Sequence, residues 1–252
     1  MIEMKQVSSG YQKKQILHDI SVNFEKGKLV SVVGPNGSGK STLLKSAVGI
    51  LVPHSGEIIL DGEPLSKLNQ RDIAQRISYL AQGKGTPDMT VAQMVLHGRF
   101  PHLQYPRRYT KKDRDIAFSA MEQTGVSRYA DQSMGSLSGG MRQNAYIAMA
   151  LAQDTDYILL DEPTTYLDIS HQLELMKILR NLANAGKGIV TVMHDLPLAF
   201  SLSDEIIVVN HGEIIMNDIP NAVCDSGIIK TVFGVTLNRS AESNEYHYRY
   251  RK

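Results

Sequence analysis

Apolar residues alternate with polar ones or gather in short blocks at spacings that predict strands over residues 2–7, 20–24, 29–34, 57–60 and 77–80. Further strands are predicted over 157–161, 189–194, 206–210 and 213–216. Between several of them, apolar positions recur at three and four, the spacing of one helical face. These helical stretches are 41–50 (STLLKSAVGI), 170–185 (SHQLELMKILRNLANA) and 198–202. The alternation predicts an α/β domain with a largely parallel core sheet. Residues 84–154 break the rhythm, with no strand signal and helical patterns at 91–97, 111–124 and 139–153. A strandless block inside such an alternation reads as a helical lobe inserted into the core. HGE at 211–213 predicts a hairpin turn. From residue 238 the stretch NRSAESNEYHYRYRK is polar and unpatterned, and is expected to fray unless its tyrosines and arginines mark a contact.

Composition narrows the function classes. With 252 residues and 42% hydrophobic content, the chain can bury a core as one large domain or one domain with an inserted lobe. Its 27 basic and 26 acidic residues leave a formal charge of +1, which is no electrostatic footprint for nucleic acid. No apolar stretch approaches the ~20 residues that cross a bilayer, and MIEMKQVSSGY lacks a charged-then-apolar signal segment. Cys224 is alone, so no internal disulfide forms. A soluble chain of a reducing compartment is expected.

The chemistry begins at residues 34–42, GPNGSGKST. A β-branched strand precedes this Gly-rich turn and a helix follows it, the setting in which backbone N–H groups cradle phosphates. Gly34, Gly37 and Gly39 let the chain turn inward around an anion, with Pro35, Asn36 and Ser38 between them. Lys40 offers a full positive charge to the β/γ-phosphates. The Ser41 hydroxyl is placed for Mg²⁺, and Thr42 continues the new helix N-terminus. A Gly-rich turn with a chance lysine is the competing reading, and the flanking strand and helix argue against it. At 157–163, YILLDEP delivers two carboxylates at the end of an apolar strand. Asp161 suits Mg²⁺, and Glu162 is free to orient and deprotonate a water.

GPNGSGKST, YILLDEP, LSGGMRQ at 137–143, TTYLD at 164–168 and VMHD at 192–195 together resemble the ATP-binding subunits of ATP-binding-cassette (ABC) transporters. The resemblance runs from Tyr11 to about Val235. It implies a phosphate-loop NTPase core with a mostly parallel sheet, an antiparallel N-terminal β part and the inserted helical lobe. On that reading residues 1–237 are a single ABC ATPase domain, with the lobe at about 84–154, and 238–252 are a polar C-terminal tail. The resemblance further implies a head-to-tail dimer that sandwiches two ATP molecules, each with Mg²⁺. Every ATP would lie between one subunit's phosphate loop and the other's Ser138, Gly139 and Gly140. Tyr11 would stack on adenine, Gln82 would touch Mg²⁺ and the attacking water, Asp168 would bridge the subunits, and His194 would hydrogen-bond the γ-phosphate.

The chain departs from the family pattern at Met141 and Asn144, which stand where glutamine and arginine are common, and at Pro197, which suits a helix start. Met141 cannot offer the polar contact that glutamine offers the opposite nucleotide. HGRFPH at 97–102, with TTYLD and VMHDLPLA, resembles the branch serving importers of iron–siderophore, haem and cobalamin. His97 and His102 lack acidic or cysteine partners at ligand spacing. Their segment is instead expected to shape the groove for a membrane permease, with Arg99 as a rim charge. An extracellular substrate-binding protein is implied as an indirect partner, and the place of work is the cytoplasmic face of the cell membrane. An ABC exporter, another importer branch and a non-transport ABC ATPase are the alternatives, and the cargo itself is not written in this chain.

Overall fold

Two long strands, Ile2–Tyr11 (β1) and Lys14–Phe24 (β2), pair antiparallel before the chain enters its interior as Leu29–Val33 (β3) and turns into the helix Lys40–Ala47 (α1). Ser55–Leu60 (β4) and the short Glu63–Pro64 (β5) return to the first layer, completing an antiparallel sheet of order β2-β1-β4-β5. Gln70–Arg76 (α2), capped by the Asn69 side chain, leads to Ile77–Leu80 (β6). Three helices follow, Val91–Leu96 (α3), Lys111–Gln123 (α4) and Gly139–Ala152 (α5), which pack on one another. Thr90 and Thr110 start the first two with capping boxes. The alternation then resumes with Tyr157–Asp161 (β7), Ile169–Asn184 (α6), Gly188–Val192 (β8), Leu196–Leu202 (α7), Glu205–Asn210 (β9) and Glu213–Asp218 (β10). Pro220–Asp225 (α8), Ile228–Phe233 (α9) and the pair Thr236–Arg239 (β11) and Tyr246–Arg249 (β12) finish the chain. This computed structural model describes residues 1–12, 14–83, 85–165, 167–240 and 245–249. Lys84 at the expected lobe boundary, Tyr166 of TTYLD and tail residues 241–244 and 250–252 lie outside the described residues.

The second sheet has the order β10-β9-β3-β8-β7-β6 and is parallel throughout except for β10, which the His211–Gly212 turn folds back on β9. Its central strands are buried on both faces, so apolar residues run almost unbroken along them. Alternate side chains serve different layers. Val30, Val32, Leu159, Val190 and Val192 pack with Leu43 and Leu44 of α1 and with the antiparallel sheet. Ile158, Leu160, Ile189 and Val208 face α5, α6 and α7. Thus α1 is clamped between two sheets, and the turn that starts it is held from both sides. Among the described residues, no helix is long and apolar enough to cross a membrane.

The C-terminal stretch departs from its expected fraying. β11 and β12 pair antiparallel, and Tyr246 is buried with its ring edge-on to Phe200 of α7, centroids 5.3 Å apart. Its N–H donates to Ser201 Oγ at 3.2 Å, and its hydroxyl donates to Asn221 Oδ1. Leu237 of β11 is buried in the same core and Tyr248 packs against it, so the strand pair is held against the helices from both strands.

Candidate active site

β3 ends at Gly34, where the backbone passes so close to β9 that a Cβ would lie 2.1 Å from the Val209 carbonyl oxygen. Only glycine fits there. At Gly39 the backbone takes φ 108° as the N-cap of α1, a left-handed turn that aims the first helical N–H groups into the loop. Lys40 folds back so that Nζ donates to the carbonyls of Gly34 at 2.8 Å and Pro35 at 2.9 Å. Burial pushes its pKa down, and the nearby Glu162 and Asp161 charges work against that push. Ser38 Oγ is buried beside Gly34 with no hydrogen-bond partner in the protein.

The carboxylates arrive on β7. Asp161 shares a face with Tyr157 and Leu159 and so points toward α1. Ser41 Oγ donates to its Oδ1 at 3.0 Å and the Tyr79 hydroxyl to its Oδ2 at 3.3 Å. Burial raises the Asp161 pKa, and the neighbouring Glu162 adds to the rise, while Ser41, Tyr79 and Lys45 oppose it. Glu162 sits at φ 53°, a left-handed conformation that residues with a Cβ adopt reluctantly. That turn carries its carboxylate away from Asp161 toward two other strand ends. Gln82 Nε2 donates to Oε2 at 2.6 Å, and His194 Nε2 lies 2.7 Å from Oε1. Thr165 Oγ1 adds a longer contact at 3.4 Å.

An open cavity of about 650 Å³ joins Tyr11, Lys40, Ser41, Gln82, Glu162 and His194. The structure therefore gathers a cationic loop, a hydroxyl beside a buried carboxylate, and a second carboxylate with two proton-bearing partners. Tyr11 is 44% exposed at the mouth, and its hydroxyl accepts from Lys45 Nζ at 3.1 Å. Lys45 and Tyr79 were not anticipated from sequence. Their spacings held the signal: Lys45 lies four residues after Ser41, on the same helical face, and Tyr79 precedes Gln82 in the same strand-to-loop segment.

Ser138, Gly139, Gly140 and Asp168 do not line this cavity. Ser138 caps α5, its Oγ accepting from Met141 N–H at 3.3 Å. Asp168 caps α6 through His171 N–H at 2.9 Å, with Ser170 Oγ at 2.8 Å and His171 Nδ1 at 2.7 Å. The His171 N–H, Ser170 and the His171 ring together hold the Asp168 carboxyl down at about 2. One link runs from α5 to the catalytic turn: Gln143 Nε2 donates to the Pro163 carbonyl at 3.0 Å.

Arg99 is not a rim charge. It is 5% exposed, pairs with buried Asp113 at 3.1 Å and donates to the Ala152 carbonyl at 3.0 Å. His97 Nδ1 lies 2.9 Å from the Gln93 carbonyl, and His102 Nε2 lies 2.8 Å from that of Gln153. HGRFPH forms a 3₁₀ segment whose polar side chains tie helices together.

A family profile described as "ABC transporter" matches residues 17–165. The ferric enterobactin transport ATP-binding protein FepC of Escherichia coli (strain K12) is 40% identical over 234 residues, covering 92% of this chain and 86% of that protein. Among solved structures, one described as an inward-facing ABC transporter of metal-chelate type superposes with a TM-score of 0.83 at 25% identity, covering 99% of this chain and 98% of that one. An ATP-binding cassette in a dimeric post-hydrolysis state, bound to ADP and Pi, superposes with a TM-score of 0.77 at 27% identity, covering 87% of this chain and 99% of that one.

Proposed function

The chain belongs to the ABC transporter family, and on that premise we propose that it hydrolyses ATP to drive import of a metal chelate, with a ferric siderophore as the first candidate. It is an ATPase of the ABC type, acting as a head-to-tail dimer on a membrane permease at the cytoplasmic face of the membrane, with an extracellular binding protein delivering cargo. Residues 1–237 form its ATPase unit, with the helical lobe of 84–154 inserted. The observation that carries the reading is the meeting of Gln82, Glu162 and His194, at 2.6 and 2.7 Å, over the mouth of the phosphate loop.

Adenine stacks on Tyr11, and the phosphates take the place of the Gly34 and Pro35 carbonyls as partners of Lys40. The backbone of Pro35–Ser38, Gly39 and the hydroxyls of Ser41 and Thr42 complete the cradle. Glu162 accepts a proton from the attacking water as its oxygen bonds the γ-phosphorus, and the bond to the β-bridging oxygen breaks to leave ADP and phosphate. His194 hydrogen-bonds the γ-phosphate, and Ser138, Gly139 and Gly140 of the second subunit close over it, with Asp168 at the seam. The Ser41 hydroxyl and Asp161 carboxylate, 3.0 Å apart, fit Mg²⁺ as a pair of hard oxygen donors, and the Gln82 amide oxygen is within the same cavity. Bound there, Mg²⁺ would neutralise developing phosphate charge.

The test is uptake of a ferric siderophore, haem and cobalamin by cells deleted for the chain and complemented with parent or Glu162→Gln. Loss of one uptake activity on deletion, restored by parent alone, supports the reading. Uptake of all three unchanged by deletion refutes it in favour of an exporter or another importer branch.

A further inference from the structure

Residues 104–114 read QYPRRYTKKDR. Arg107, Arg108, Lys111, Lys112 and Arg114 are all exposed, and among the described residues none of the five forms an ion pair. Five cations in eight residues, on a chain whose formal charge is +1, are a local concentration rather than a reflection of composition. Asp113 is buried against Arg99, which leaves Asp115, exposed beside Arg114, as the one carboxylate at the edge of the run.

The segment is fastened at both ends. On one side Arg71 donates to the carbonyls of Pro101 and Leu103, each at 2.9 Å, and Gln75 Nε2 donates to Pro101 at 2.8 Å. On the other, Asp113 accepts from the Thr110 N–H at 2.9 Å, the Thr110 hydroxyl at 2.6 Å and Arg99 at 3.1 Å. Between these anchors the chain stands out from the lobe. Tyr105 is 97% exposed, and Phe100, 47% exposed, lies under the Arg107 guanidinium at 4.8 Å. Exposed aromatic rings among lysines and arginines match the chemistry of a bilayer surface, where rings lodge at headgroup level and cations meet lipid phosphates.

We propose that this surface binds the anionic phospholipid headgroups of the bilayer in which the permease sits. The inference rests on the proposed function, which places the chain on a membrane permease, with residues 97–102 as the segment expected to shape the permease groove. The first cation of the loop, Arg107, stands five residues beyond that segment, about 18 Å of chain at most. Each basic side chain at an anionic surface strengthens binding roughly fivefold, so several acting together give a contact that adds to the protein–protein docking.

The experiment is sedimentation of the full chain with sucrose-loaded vesicles of phosphatidylcholine, with and without ~30% phosphatidylglycerol, at ~50 mM and ~500 mM salt. The expected result is partition into the anionic vesicles alone. It should fall steeply at the higher salt, and drop more than about tenfold in the combined variant Arg107→Glu, Arg108→Glu, Lys111→Glu, Lys112→Glu. An unchanged thermal midpoint shows that this variant folds, and Tyr105→Ala, which keeps every charge, should lower partition by a smaller factor. Equal binding to neutral vesicles, no binding to either, or full binding by the fourfold variant overturns the proposal. Loss of permease copurification in that variant, with no vesicle binding by the parent, would show a protein contact instead. Because the vesicles contain no permease, failure here leaves the transport reading standing, and failed uptake leaves the vesicle result readable.

Discussion

Gln82 Nε2 lies 2.6 Å from Glu162 Oε2, so the side chain proposed to position water holds the proposed base directly. With His194 on the other oxygen at 2.7 Å, each oxygen of the carboxylate has a protein partner while the group still lines the open cavity. A water entering the cavity can still use the remaining acceptor sites of Glu162. The arrangement thus describes a base held in a fixed orientation by two neighbouring strand ends.

Glu162→Gln keeps the side chain's shape and removes its basicity. ATP binding should persist while turnover falls by about 10²–10⁴-fold. The same protein should dimerise on adding ATP, seen by light scattering, because the sandwich forms but is not consumed. Near-normal turnover with the permease present would remove Glu162 from its role, and a monomer at every ATP concentration would remove the sandwich.

Lys40→Ala should weaken ATP binding by about 1.5–3 kcal/mol, the scale of a charge-assisted hydrogen bond. Tyr11→Ala should weaken it by about 1–3 kcal/mol through loss of base stacking. Calorimetry separates the two claims. Parental affinity in Tyr11→Ala alone would discard adenine stacking and leave the phosphate loop intact.

Tyr79→Phe removes the hydroxyl that steadies Asp161 Oδ2 and nothing else. A hydrogen bond of ordinary strength corresponds to a three- to tenfold effect, roughly, and it should fall on the Mg²⁺ concentration for half-maximal turnover. The maximal rate and thermal midpoint should stay near parental. A fallen rate with unchanged Mg²⁺ dependence would show that Tyr79 acts elsewhere.

Breaking the Arg99–Asp113 pair should cost about 3–5 kcal/mol, because Arg99→Ala leaves a buried carboxylate uncompensated. Burial alone would raise the Asp113 pKa, but the Thr110 hydroxyl and N–H and the Arg99 guanidinium outweigh it and hold the pKa at about 2. A depressed carboxylate pKa stabilises the fold above its unfolded value near 4, and the contribution is lost as pH falls from there toward 2. Urea midpoints of parent and Asp113→Asn should therefore draw together over that window. A constant gap from pH 5 to 2 would contradict the assignment.

The strand ends that carry Gln82, Glu162 and His194 were legible because each closes an apolar run, and a parallel sheet brings such ends to one edge. The phosphate loop was legible for the same local reason. Arg99 was misread because its partner Asp113 lies fourteen residues on, and only tertiary packing reveals that both are buried. The last strand had a visible cue in the alternation of Tyr246 and Tyr248, which period-two spacing marks as one face. Its polar neighbours hid that cue, since only Tyr246 and, with it, Tyr248 and Leu237 of the paired strand reach the core. Glu162's left-handed backbone left no trace in sequence at all, because glutamate rarely takes it.

Gln143 joins two things that serve different clients. It sits on α5, whose N-terminus is proposed to close over the nucleotide of the second subunit, and it grips the Pro163 carbonyl beside its own subunit's Glu162. A shift of α5 on capturing the neighbour's phosphates would therefore reach the turn carrying Glu162 through this one amide. In a head-to-tail pair each subunit would carry the same link, so a movement at either closing face would bear on both glutamates.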